Sequence, residues 1–275
     1  MAAAFLMAAL AGFAQEDSVT VIHSDKPGEA DTIRVGGMVI IKKEGDHNKS
    51  TTTHWNVGPH QKRLQTSWLL LDLGYSNYED KTDYSSPEMK TFTGNIPFNG
   101  SDFDLRNGKS LNINVWVVRQ RYGITKNNAF NITYGFVIET TNFRYENSTS
   151  HLKGGPPYVA HDTIQFDKNK LATSYFTVPV MLGIKTNPKS KNTVNINVGG
   201  SIGYLYSSRN KQISDERGKQ KIKGNFNLKP WKVNLVGEVG FSGIKLYGSY
   251  SPSSMYKDGP DMRPYTIGLR LGGWD

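Results

Sequence analysis

The sequence predicts an all-β chain of about eight antiparallel strands closed into a barrel, on three observations. Large apolar residues alternate with small polar ones, again and again, from Leu69 almost to the C-terminus. No stretch with the 3.6-residue helical period interrupts them. The segments between the strands run alternately long and short.

Successive side chains of a strand point to opposite faces, so each alternating run defines a greasy face and a polar one. "WLLLDLGY" sets Leu69, Leu71, Leu73 and Tyr75 against Leu70, Asp72 and Gly74. "LNINVWV" sets Leu111, Ile113, Val115 and Val117 against Asn112, Asn114 and Trp116. "FNITYGFVIET" sets Phe130, Ile132, Tyr134, Phe136 and Ile138 against Asn131, Thr133, Gly135, Val137 and Glu139. "YFTVPVMLGIK" sets Phe176, Val178, Val180, Leu182 and Ile184 against Thr177, Pro179, Met181 and Gly183. "VNINVGGSIGYLY", "WKVNLVGEVGF", "IKLYGSY" and "YTIGLRL" continue the pattern, with Ile196, Val233 and Leu235 on the greasy side and Lys232, Glu238, Lys245 and Arg270 on the polar side. Two places break the rule. Strict alternation through "VVRQRYG" puts Arg119 and Arg121 on the greasy face; either a bulge near Val117 or Val118 turns them inward, or they sit low, near the headgroups. Pro179 lacks a ladder donor and calls for a bulge or a locally unpaired position.

The long connectors are expected at Glu79–Lys109, Glu146–Lys170, Ser207–Lys229 and Pro252–Arg263, and the short ones near Asn127, from Thr186 and at Ser242. Long extracellular loops and short periplasmic turns are the signature of outer-membrane barrels. With the N-terminus in the periplasm, the first connector is an extracellular one, and it is long.

Alternation alone does not say which face meets water. A secreted, lipocalin-like barrel would hide its greasy face and show Lys and Glu outside. Here the polar face is mainly Asn, Ser, Thr and Gly, which suit a narrow interior, while Phe, Ile, Val and Leu suit lipid. Tyr75, Tyr134, Tyr204, Tyr250, Tyr265, Trp231 and Trp274 are candidates for interfacial belts. The expected lipid-facing set is Phe130, Ile132, Tyr134, Phe136, Val178, Val180, Leu182, Ile196, Val233 and Leu235. A barrel of this size has its lumen filled by side chains, so Asp72, Glu139, Glu238, Lys232, Lys245 and Arg270 are expected to form one polar network there.

The 275 residues include no cysteine, which removes disulfides, zinc–thiolate sites and thiol catalysis. The formal charge is +9, but the basic residues are scattered and no nucleic-acid partner is expected. The densest basic segment, "RNKQISDERGKQKIKGN", reads as an extracellular loop carrying Arg209, Lys211, Arg217, Lys219, Lys221 and Lys223. Such a loop suits acidic lipid headgroups or sugar phosphates. Outer-membrane lipid, lipopolysaccharide and other outer-membrane or periplasmic subunits are the expected partners.

The opening "MAAAFLMAALAGFAQ" resembles a secretory signal peptide over residues 1–14, cut before Gln15, with Gly12 and Ala14 at the small-residue positions. Residues 15–65 are expected to form a periplasmic extension, with a short hairpin turning at Gly36–Gly37, and residues 66–275 the barrel. His47, His54 and His60 lie in a polar tail, where no metal is expected. Ser150, His151, His161 and Asp162 share one long connector and are the one set resembling a hydrolase constellation. GxSxG, HExxH and GxxxxGK[ST] motifs are absent, so neither an enzyme nor a cofactor is expected.

"DTIRVGGMVIIKKEGD" from Asp31, "YFTVPVMLGIKTN" and "GIKLYGSYSPSSMYKDG…PYTIGLRLGGW" resemble the outer-membrane β-barrel, PorT-like proteins of Bacteroidota. The resemblance covers most of the chain after about Leu64. It implies an outer-membrane location and assembly by the barrel-insertion machinery. The family includes a protein needed for type IX secretion. The shared motifs are strand texture, so they assign no functional residue. The function expected is a non-enzymatic structural or accessory subunit of a larger secretion, assembly or uptake complex. A small-ligand or surface-binding barrel is the alternative.

Overall fold

The computed structural model describes residues 63–271, apart from 107, 188–192 and 242–243, together with the backbone of three strands near the N-terminus. These are β1 (Val19–Ile22), β2 (Asp31–Val35) and β3 (Met38–Lys42), which pair antiparallel in the order β1–β2–β3. The expected hairpin at Gly36–Gly37 falls between β2 and β3. The signal-like segment, the three tail histidines and Trp274 lie outside the described residues. The chain divides into two units, Met1–Lys62 and Arg63–Asp275.

The second unit is built on β4 (Leu64–Asp80), β5 (Leu111–Gly123), β6 (Phe130–Tyr145), β9 (Lys168–Lys185), β10 (Val194–Ser214), β12 (Trp231–Phe241), β13 (Ile244–Tyr250) and β14 (Met262–Leu271). Each pairs antiparallel with its neighbour in that order, and β14 pairs with β4. The ring of eight therefore has no free edge, which matters because an edge in lipid would leave backbone donors and acceptors unpaired.

The greasy face looks outward. Phe130, Val178, Val180, Leu182, Ile196, Val233 and Leu235 are exposed, and Ile132, Tyr134 and Phe136 share their side of β6. Every strand of the ring adds at least one exposed large apolar residue, including Leu73, Ile113, Leu246 and Ile267. A water-soluble monomer rarely shows a continuous apolar patch of more than a few hundred Å², so a greasy band round the whole ring belongs in lipid. Arg at Val180, in mid-wall, should cost ~2–4 kcal/mol, whereas Arg at Thr140, near the loop end, should cost ~0–1. Urea unfolding from lipid vesicles would show the difference, and equal costs at the two heights would remove the lipid-facing assignment.

Two irregularities set the phase of the inner face. Trp116 pairs with Val137 and Val118 with Phe136, which leaves Val117 as a bulge residue. Across the β4–β5 ladder the unbridged residue is Leu69, whose φ of 54° lies in the left-handed region. This paired bulge turns Arg119 and Arg121 into the barrel, where both are buried. At Pro179 there is no bulge. The β6–β9 ladder drops its bridges opposite Gly135 and Phe136 and resumes in the same register at Val137–Thr177.

The long connectors between β4 and β5, β6 and β9, β10 and β12, and β13 and β14 leave one end of the ring, and the strands β5–β6, β9–β10 and β12–β13 are joined at the other. The sequence reading of the basic segment as a loop is corrected here. Arg209 to Ser214 continue β10, and Gly218–Lys223 form β11, paired back onto it. Membrane-spanning strands need ~9–11 residues, and β9 and β10, with 18 and 21, overshoot the wall. Above the lipid both faces of a strand can be polar, so the apolar period that betrays a strand disappears there.

Candidate functional site

The inner face is filled at mid-height by an ionic cluster lying on an apolar pad. Arg270 on β14 uses its guanidinium fork on two carboxylates. Nε and Nη2 donate to Asp72 at 2.6 and 2.9 Å, and Nη1 donates to Glu238. Arg119, delivered by the Val117 bulge, donates to Glu238 at 2.8 Å, and Asn197 adds a hydrogen bond at 3.2 Å. The Trp116 indole N–H donates to Asp72 at 2.7 Å, and the Arg270 guanidinium lies 4.4 Å from the Trp116 ring centre. Each group in this cluster is paired, which a buried charge requires.

Leu70, Trp116, Val137 and Met181 form the pad, with Val236 packed against them. All five stand on the polar side of their strands by alternation, so a lumen whose lining is mainly small and polar also holds an apolar patch. Gly135 makes room for the Trp116 ring, because a Cβ there would lie 3.0 Å from it and 2.3 Å from the Val118 carbonyl oxygen.

The six expected network residues do not form one group. Asp72, Glu238 and Arg270 meet as described, and Lys245 is buried on the neighbouring strand, opposite Arg270 in register. Glu139 and Lys232 make a separate pair, 2.5 Å apart. Thr177 donates to the other oxygen of Glu139 at 3.1 Å, and the Lys232 ammonium sits 4.1 Å from the Tyr175 ring centre. Asp72 and Glu139 flank Asn114 in one cross-strand row, so the division lies in which cation each carboxylate meets: Arg270 from the adjacent strand for Asp72, and Lys232 from across the lumen for Glu139. Two cavities of about 30 and 50 Å³ flank the groups, enough for one or a few waters. Arg119, the missing cation, was visible in the sequence only as a parity violation.

Above the lumen the long connectors fold on each other into a cap with its own core. Its helix α1 (Pro87–Thr93) begins with a side-chain cap from Ser86 and Pro at the first turn, and ends at Gly94 with φ 67°. Met89 and Phe92 from α1 pack with Phe103, Phe143, Tyr145, Val159, Leu171, Phe226, Leu228, Met255, Tyr256 and Met262. The hairpin β7 (Thr149–His151) and β8 (Val159–His161) lies in the same layer.

The hydrolase-like set is drawn apart in this cap. Ser150 donates directly to Asp162 at 3.1 Å and accepts from Gln212 at 2.7 Å. Arg217 also donates to Asp162, at 2.7 Å, so the carboxylate is held by cation and hydroxyl together. His161 stacks on Phe98 at 4.0 Å. His151 is fully buried between Asn210 and Tyr256, each at 3.3 Å. With Asn210 Nδ2 donating to Nδ1, the ring proton sits on Nε2 and is donated to Tyr256 Oη.

Burial pushes the His151 imidazole down to about 3, against ~6.5 in the unfolded chain. The unfolded cap therefore takes up a proton, as pH falls below ~6.5, that the folded cap refuses. Cap stability should be flat above that pH and fall steadily towards pH 3. Hydrogen exchange in β7–β8 at pH 7 and pH 4.5 measures this, and equal protection would count against it.

A closed ring, an apolar wall on all sides and a polar, plugged interior are the marks of one architecture. A family model for the outer membrane protein beta-barrel domain matches residues 84–253. The chain belongs to that family. The match runs from the first cap connector to just past β13, and β4 and β14, outside it, are the two strands whose pairing closes the ring. Its place is thus the outer membrane, in agreement with the apolar wall. No curated protein matches the chain.

Proposed function

We propose that this barrel is a non-enzymatic structural or accessory subunit of a larger outer-membrane complex, of the PorT-like kind found in Bacteroidota. Its N-terminus and short turns face the periplasm, and its cap faces outward. One observation carries the reading: the lumen is plugged at mid-height by the Asp72–Arg270–Glu238–Arg119 cluster and roofed by a packed cap. Such a barrel offers partners its wall, its cap and its N-terminal unit, and no wide path for solutes. The direct Ser150–Asp162 bond, with neither histidine on the hydroxyl, supports a structural role for that set.

Planar-bilayer recordings of the purified protein should show no stable porin-sized conductance. Large, long-lived channels would overturn the plugged reading and move the function towards diffusion. Purification in mild detergent should bring down stoichiometric outer-membrane or periplasmic subunits, and a barrel that remains alone after crosslinking in cells would count against the accessory role.

A ligand-binding barrel has one observation in its favour. An open cleft of about 820 Å³ lies between residues 152–157 and Lys221–Lys223 in the cap.

A further inference from the structure

The outer face of β6, β9, β10 and β11 changes character in steps as it leaves the wall. Its lowest step is aromatic and apolar: Ile138, Phe176, Tyr204 and Trp231 stand in one cross-strand row. The next row is hydroxylic, with Thr140, Ser174 and Ser207 in line and Thr140 bonded to Ser174 at 3.1 Å. Then come cations. Arg209 stands opposite Lys223, and one row higher Arg144, Lys170, Lys211 and Lys221 lie side by side across four strands.

Like charges directly opposite each other weaken a sheet. Natural surfaces relieve this by mixing signs. Here none of the six pairs with a carboxylate among the described residues. Lys170 bonds to the Asn142 amide oxygen, and Arg144 to the backbone carbonyl of Asp167. The repulsion is left for something outside the chain to relieve.

The height of the rows says what that is. Lys170 lies six residues above Phe176, ~20 Å along the strand, or ~15 Å along the membrane normal at a strand tilt of ~35–45°. Aromatic rings mark the edge of the hydrocarbon. The cations therefore stand ~10–15 Å above the aromatic edge, beyond the ~5–8 Å that an ordinary phospholipid headgroup spans and within reach of the larger sugar headgroup of a glycolipid. We infer that Arg144, Lys170, Arg209, Lys211, Lys221 and Lys223 form a binding strip for the phosphates of a phosphorylated glycolipid in the outer leaflet, whose acyl chains lie on the Phe176–Tyr204–Trp231 row below. The inference rests on the outward orientation of the cap proposed above.

The test uses the full-length protein in nanodiscs that contain a glycolipid in phosphorylated or dephosphorylated form, with retained lipid counted by native mass spectrometry. Wild type should retain the phosphorylated form at least ~10-fold over the other, by charge-assisted hydrogen bonds to phosphate oxygens. Lys170→Gln, Lys211→Gln and Lys221→Gln together should abolish that preference, while Lys109→Gln, Lys126→Gln and Lys257→Gln together should leave it. Heat-modifiability checks that both triple variants are folded. Equal retention by the first variant, no phosphate preference in wild type, or equally strong binding of soluble polyphosphate would each overturn the strip. Orientation is read separately. The chain has no cysteine, so Ser101→Cys labelled on intact cells reports which way the cap faces, whatever the nanodiscs show.

Discussion

Arg270→Ala should lower the temperature at which the folded barrel converts to its unfolded form in SDS, by the equivalent of ~3–5 kcal/mol. Arg270 is almost fully buried and serves two carboxylates at once. Its loss does not fall equally on them. Glu238 keeps Arg119 at 2.8 Å, whereas Asp72 keeps the neutral Trp116 indole N–H at 2.7 Å. Asp72→Asn in the Arg270→Ala background should therefore restore part of the loss, and Glu238→Gln should restore less. The neighbouring cavity of about 50 Å³ can admit water to the gap, which places the expected cost at the lower end of the range. A single variant that melts with wild type would show that the cluster does not hold the barrel together.

Phe92→Ala should loosen the cap and spare the barrel. Phe92 is 1% exposed, its ring centre is 5.4 Å from that of Tyr158 and 5.2 Å from that of Tyr256, and a Cβ on Gly259 would lie within 2.7 Å of it. Truncating a buried Phe costs ~3–5 kcal/mol. Helix α1 has only seven residues, too few to persist by helix propensity, so it depends on Met89 and Phe92 being packed. The cost should appear as local opening. Limited proteolysis within 81–110 should accelerate at least ~10-fold while the barrel's heat-modifiability changes little. Unaltered protection would mean that the connectors are held by the strands alone.

Much of the wall was legible from residue order. The alternation in β5, β6, β9, β10 and β12 assigned the greasy face because each side chain's direction follows from its neighbour's. A bulge near Val117 or Val118 was one of two ways to keep Arg119 and Arg121 out of the hydrocarbon, and the structure places it at Val117. Leu69 gave no such warning, being apolar on either side. The upper part of β10, Arg209 to Ser214, was missed for the opposite reason. Its inward residues Ser208, Asn210, Gln212 and Ser214 are as polar as its outward ones, so no contrast marked it as strand.

The sites divide along the same line. Sequence alone determined which residues of a strand share a face, since that depends only on a two-residue period, and the structure shows that the apolar face looks outward. Which lumen charges meet was decided by the tertiary structure. Arg270 and Asp72 are 198 residues apart, and only the pairing of β14 with β4, at its particular stagger, brings them to one height. Glu139 stands in the same cross-strand row as Asp72, yet it meets Lys232, which ring closure brings to it from across the lumen. The cap was likewise a tertiary outcome: its apolar residues lie in four separate connectors and at the ends of β6, β9 and β14 without any shared period, and closing the ring is what brings them close enough to bury one another.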